Sequence, residues 1–251
     1  MEQIYRNLIA NEFRNCVTKT IHRIQADDAK YRPFHASLLS DEAIFWSRFE
    51  RSFSTSFGQR AVEEAARIAA LSNGAIDAQR QVKTIVTLDE AIINAVSEHI
   101  QNLRTQNREN IICEDALVSI LQTPLSGNTR SLRIISDLWW NKGGVDNFIS
   151  LKTVMPNIDQ TAVAKIDCLH LKLGIPNCNA YFGLHYNPYG ENKSDYAFSP
   201  PMRIFDLWND PVVLIGQEMW DTIGGIGCYN EIIEIAKQVG NETKSEIESI
   251  M

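Results

Sequence analysis

Apolar residues recur at helical spacing through the first half of the chain and predict helices over residues 2–24, 40–53, 59–72, 76–85 and 87–104. In the last of these, Ile92, Ile93, Val96 and Ile100 share one face, and Thr87 followed by Glu90 reads as a capping box that opens it. A shorter helix is expected from Cys113 to Gln122, stopped by Thr123, Pro124 and the turn cluster Ser126-Gly127-Asn128.

Beyond that turn the pattern changes. Leu132 to Trp140 is a short apolar run rich in β-formers, Asn141-Lys142-Gly143-Gly144 is a turn signal, and Asn147 to Val154 reads as a second strand, so the two runs predict a β-hairpin. A helix over 160–173 and a third strand from Ala180 to Tyr186 follow, the strand stopping at Asn187-Pro188-Tyr189-Gly190. The polar stretch 191–201 predicts an exposed loop. Helices are expected around 203–208, 217–222 and 229–238, with Gly224-Gly225-Ile226-Gly227 as a helix-breaking turn. No internal repeat is visible. The sum is an α/β fold with a small central mixed sheet flanked by helices and a helical N-terminal half. It is expected to form one domain over 1–251, mainly helical over 1–125, with the hairpin, third strand and C-terminal helices over 126–251.

Composition narrows the picture. With 44% hydrophobic residues the chain can bury a substantial core. No run approaches the roughly 18 apolar residues that span a membrane, and the first 24 residues pattern as a helix rather than a signal peptide. The five cysteines (Cys16, Cys113, Cys168, Cys178, Cys228) are scattered and odd in number, against both a disulfide framework and a zinc cluster, so the chain reads as a reduced, cytoplasmic protein. His22, His35, His99, His170 and His185 lack the spacing of a metal-binding helix, and His185 on the third strand reads as a satisfied structural histidine ahead of one that faces nucleic acid. Trp139-Trp140 reads as core. A net charge of -7 counts against non-specific coating of nucleic acid, where phosphate neutralisation by Lys and Arg dominates affinity. A cleft that gathers the basic residues in one place is still compatible with it.

The hairpin carries the candidate chemistry. Asp137 lies mid-strand in an apolar run, and Lys152 lies in the equally apolar ISLKTV of the partner strand. A turn near 143–145 brings the two to similar height on adjacent strands, with Ser150 on the same face as Lys152. An Asp–Lys pair on neighbouring strands is also what a solvent-edge ion pair looks like. The apolar flanks make ionised groups there costly unless they have a task or a partner. A carboxylate and a lysine converging on one point is the pairing that metal-assisted phosphodiester hydrolysis requires.

Asp137, with Ser150-Leu151-Lys152 thirteen residues on, resembles the PD-(D/E)XK nuclease signature. Further blocks occur in order. Pro33-Phe34-His35, Leu38-Leu39, the run Ser52 to Gly58 and then Glu63 resemble the N-terminal helical region of the MjaII/TdeIII type II restriction endonucleases. Leu151-Lys152-Thr153 with Pro156-Asn157 resembles that family's active-site strand, and Tyr186-Asn187-Pro188-Tyr189, Trp220-Asp221, Gly224-Gly225, Gly227 and Tyr229 resemble its later blocks. The resemblance implies a restriction-endonuclease-like core and a homodimer that uses Mg2+ to cut both strands of double-stranded DNA at a short palindrome of the GGNCC type. A cognate DNA methyltransferase would be its genetic partner.

The sequence departs from the signature at Ser150, where the pattern has an acid. A hydroxyl supplies no second anionic metal ligand, which leaves Glu63, carried over from the family pattern, or Asp167 on the following helix to complete the shell begun by Asp137. Asn187, Tyr189, Asn192, Lys193 and Arg203 surround the loop after the third strand and include side-chain types that read base edges, so this loop is the candidate DNA-recognition element, or an ordinary polar loop. A repair or mobile-element nuclease on the same core, and a catalytically silent DNA-binding protein that has lost the acid at 150, are the competing readings.

Overall fold

The computed structural model describes residues 1–26, 32–105 and 107–250. The first half is largely helical: α1 (Gln3–Ala26), α2 (Pro33–Leu38), α3 (Asp41–Ser56) and α4 (Val62–Ser72), the last two joined through a π-helical turn at Phe57–Ala61. Ser40 caps α3 by accepting the Ala43 N–H. Where the periodicity predicted a helix over 76–85 there is instead a long strand, β1 (Asp77–Asp89). Helical propensity in its Ala78-Gln79-Arg80-Gln81 start gives way to the β-branched run Thr84-Ile85-Val86-Thr87, and β1 as a whole pairs along the next strand from Asp77 to Asp89. The expected capping box is also displaced. Thr87 lies inside β1 and bonds Ser131, while Asp89 is the cap of α5 (Glu90–Arg104), accepting the Ala91 N–H.

After α6 (Cys113–Ile120) come β2 (Thr129–Lys142), β3 (Val145–Lys152), α7 (Ile158–Gly174) and β4 (Asn179–Leu184). The hairpin turns at Gly143 and Gly144, both with positive φ (59° and 80°), the backbone that a two-residue primed turn demands. The segment 191–201 is not a plain exposed loop: it holds a 3-10 turn at Lys193–Asp195, the start of α8 (Ser199–Met202) and the fully buried Tyr196, whose hydroxyl donates to Val154 O. The helix expected at 203–208 is a series of turns, and a short strand, β5 (Val213–Ile215), follows it. The chain continues through α9 (Gln217–Gly224), the glycine-rich break and α10 (Cys228–Glu248).

The sheet runs in the order β1-β2-β3-β4-β5, antiparallel from β1 to β3 and parallel from β3 to β5. Parallel pairing of β3 with β4 requires a crossover, which α7 provides. α1, α4, α9 and α10 cover one face, packing on Ala78, Leu138, Trp140, Ile149 and Leu214. α5, α6 and α7 cover the other, on Val86, Ile134, Phe148, Ala180, Phe182 and Val213.

The β1–β2 ribbon outruns its neighbours. β3 pairs with β2 only from Leu138 to Lys142, so the stretch of β2 before Asp137 pairs with β1 alone. Along this ribbon the even-numbered residues change allegiance, for Ala78, Leu138 and Trp140 serve the α4 side whereas Val86, Leu88 and Ile134 serve the α7 side. The exchange falls around Gln81 and Asp137, where β2 and β3 part. No described helix is long and apolar enough to cross a membrane.

Candidate active site

The parting of β2 and β3 is where the sequence-derived residues meet. Asp137 Oδ2 accepts the backbone N–H of Leu151 at 2.8 Å and lies 3.3 Å from Lys152 Nζ and 3.5 Å from Ser150 Oγ. A backbone amide that β2–β3 pairing would otherwise use is thus turned onto the carboxylate. On β3, Phe148 belongs to the α7-side core and Ile149 to the α4-side core, so by strand alternation Ser150 and Lys152 share the α7 side with Asp137.

Asp167 approaches from α7. It lines a small cavity together with Ser136, Ser150, Phe148 and Cys168, so the short serine at 150 leaves room for the helix carboxylate. Burial, with the negative charge of Asp137 adding to it, raises the Asp167 carboxyl to about 6, against the opposing pull of Lys152.

Glu63 approaches from the first turn of α4, two residues after the π-helical Phe57–Ala61 segment, a widening of the kind often found at functional positions. It is buried; Arg80 Nε donates to its Oε2 at 3.1 Å and Gln81 Nε2 to its Oε1 at 3.0 Å. Burial raises its carboxyl above the ordinary range, and Asp137 adds to that. The same Gln81 nitrogen donates to Asp137 Oδ1 at 3.1 Å, linking the two acids. Periodicity hides Gln81 and Arg80, because it predicts a helix where β1 stands. The usable signal was the β-branched run Thr84 to Thr87, which continues the strand they begin.

Glu63, Asp137, Ser150, Lys152 and Asp167 therefore gather at one place. Among the described residues, however, no three His, Cys, Asp or Glu side chains stand close enough to cage a metal ion. The donor set is carboxylate oxygen, which suits a hard cation. Mg2+ keeps several waters and takes only one or two carboxylates, so a pair of acids around Asp137 fits it without a closed cage.

The loop after β4 is arranged differently. Lys193 is committed within the fold, its Nζ donating to Asp210 O and Val213 O and pairing with Glu218 at 3.2 Å. Asn187 donates to Asn192 O and accepts the Tyr189 N–H, which shapes the turn. Tyr189 and Arg203 are exposed. His185 just after β4 packs against the rings of Phe57 and Tyr186, and burial lowers its imidazole to about 4. Trp140 is core as expected, whereas Trp139 is part-buried and donates to Asp146. All five cysteines are buried free thiols.

Residues 1–240 match the family model of the type II restriction endonuclease HinfI. The type II restriction enzyme HgiCII of Herpetosiphon aurantiacus is 31% identical over 229 residues, covering 88% of this chain and 82% of that enzyme. HgiEI from the same organism is 30% identical over 251 residues, covering 97% and 89%, and HgiBI is 30% identical over 227 residues, covering 88% and 81%. No solved structure matches the chain. The matching family carries the HinfI name where the ordered motifs resembled MjaII/TdeIII; both are type II restriction endonucleases.

Proposed function

Because the chain belongs to the HinfI family of type II restriction endonucleases and is therefore a site-specific deoxyribonuclease, we propose that it cuts both strands of a short palindromic DNA site with Mg2+, at a PD-(D/E)XK-type centre built on Asp137 and Lys152. The observation that carries this reading is the Asp137–Lys152 approach at 3.3 Å, at the point where the hairpin opens. The silent-binder reading has no support left, since the relatives are restriction enzymes.

Asp137 would be the central cation ligand. Asp167 and Glu63 flank it on two sides and are the two candidates for the acid that Ser150 lacks. Bound there, Mg2+ would polarise the scissile phosphate and lower the pKa of a water. Lys152 sits beside the same carboxylate and steadies the negative charge that grows on the phosphate while orienting the attacking water. The Leu151 N–H fixes Asp137, so its geometry does not depend on a mobile partner.

A palindromic target implies two-fold symmetry, hence a homodimer. A GGNCC-like site is carried over from the MjaII/TdeIII resemblance. Tyr189 and Arg203 are the base- or backbone-contacting candidates, while Asn187 and Lys193 would act by shaping their loop. A cell that carries this enzyme needs a methyltransferase for the same site to protect its own DNA.

The test is digestion of phage and plasmid DNA by purified protein with Mg2+, with EDTA, and with Lys152→Ala. Discrete fragments that need Mg2+ and vanish in the variant support the assignment. Wild-type cleavage by the variant, or cleavage in EDTA, overturns it.

A further inference from the structure

Gln81 holds a backbone φ of 53° in the interior of β1. A left-handed conformation costs an L-residue about 1–2 kcal/mol, and such strain persists where the surroundings over-determine it. The β1–β2 pairs run from Arg80↔Leu138 directly to Val82↔Ser136, so the step left out is the one at which Gln81 and Asp137 face each other. What the conformation achieves is the reach of the carboxamide. Its nitrogen lies 3.0 Å from Glu63 Oε1 and 3.1 Å from Asp137 Oδ1, one amide proton for each acid.

We propose that Gln81 is a positioning residue whose carboxamide fills the seat of a cation between Glu63 and Asp137, confining the centre to a single divalent ion held on the Asp167 side. The inference rests on the metal-dependent reading above. Two carboxylate oxygens aimed at one point are the usual setting for a bridging cation, and here an uncharged donor takes that point. The amide nitrogen, 3.0 Å from one oxygen and 3.1 Å from the other, stands in the space that an ion bridging the two at the 2.0–2.1 Å of Mg2+ coordination would need, so the two exclude each other by volume. Arg80 strengthens the arrangement: its guanidinium occupies Glu63 Oε2 at 3.1 Å, so each Glu63 oxygen already has a donor. On the other side of Asp137, Asp167 lines the small cavity that Ser150 also lines and carries no hydrogen bond among the described residues. The two acids that flank Asp137 are thereby unequal, Glu63 occupied and Asp167 available.

The experiment counts Mn2+ bound to metal-free protein without DNA, from the electron paramagnetic resonance signal of the free ion, for wild type, Gln81→Ala, Gln81→Gly, Asp167→Asn and Asp137→Ala. The glycine variant suits the left-handed backbone and guards against loss of folding in the alanine one. The expected result is one Mn2+ in wild type, two in both Gln81 variants, and at least tenfold weaker binding of the single ion in Asp167→Asn. Two ions in wild type, or one in both Gln81 variants, overturns the role of Gln81 and leaves the metal centre standing. Wild type that binds no more Mn2+ than Asp137→Ala removes the metal centre itself.

Discussion

The backbone amide of Leu151 donates to the carboxylate of Asp137 at 2.8 Å, across the gap where β2 and β3 stop pairing. Since the acid is held by main chain, Lys152 is not needed to keep it in place. Lys152→Ala should therefore leave DNA affinity and the thermal midpoint close to wild type while the cleavage rate falls by roughly 10²–10³-fold, the range for removal of one electrostatic stabiliser. Initial cleavage rates beside gel-shift affinity check this. A parallel loss of binding would place Lys152 in DNA docking instead.

Ser150 and Asp167 line one cavity, and if Asp167 supplies the missing acid then the acid can be moved. Asp167→Asn should abolish most Mg2+-dependent cleavage, and adding Ser150→Asp should recover a measurable part of it. Ser150→Asp alone sets a second carboxylate beside Asp137 and should lower the thermal midpoint without Mg2+, the deficit shrinking as Mg2+ is added. No recovery in a folded double variant would refute the substitution of one acid for the other.

Acid should destabilise the fold through its histidines. Burial lowers His99 and His170 to about 4, with the charges of Lys165 and Arg130 pushing the same way. The folded pKa lies below the unfolded value near 6.5, so the unfolded chain takes up protons first. Stability present above pH 6.5 is then lost as pH falls toward 4, by at most about 1.4 kcal/mol per pH unit for each histidine. Melting curves from pH 7.5 to 5 should show the fall, and His99→Gln with His170→Gln should reduce its slope, leaving the share of His185, which burial also lowers to about 4. An unchanged slope in the double variant would rule these two histidines out.

Gly183 of β4 sits against the strand that carries Lys152. A Cβ there would meet Ile149 Cδ1 at 2.5 Å and Leu151 Cδ2 at 3.0 Å. Gly183→Ala should cost about 1–3 kcal/mol, the range for overpacking a filled core. It should also slow cleavage by displacing Leu151, the donor to Asp137. Denaturant unfolding beside cleavage rates tests both, and a variant as stable as wild type would show that Ile149 can turn aside without cost.

Local chemistry determined much of this protein. The Asn141-to-Gly144 turn between two apolar runs specified the hairpin, because glycine alone accepts the positive φ of that turn without penalty, and strand alternation then put Asp137, Ser150 and Lys152 on one side. The helices α1, α3, α4, α5 and α7 were legible for the same reason, their apolar residues recurring at the helical period. The strand β1 was not, since residues 76–85 mix helix formers with strand formers and only pairing along β2 decides between them. With β1 went Gln81 and Arg80, and with them the link between Glu63 and Asp137, residues separated by 74 positions in the chain. Likewise the sequence offered Glu63 and Asp167 as equal alternatives, because spacing carries no information about which layer a helix packs in. Only the packing of α4 and α7 on opposite sides of the sheet set one acid against an amide and the other against open charge.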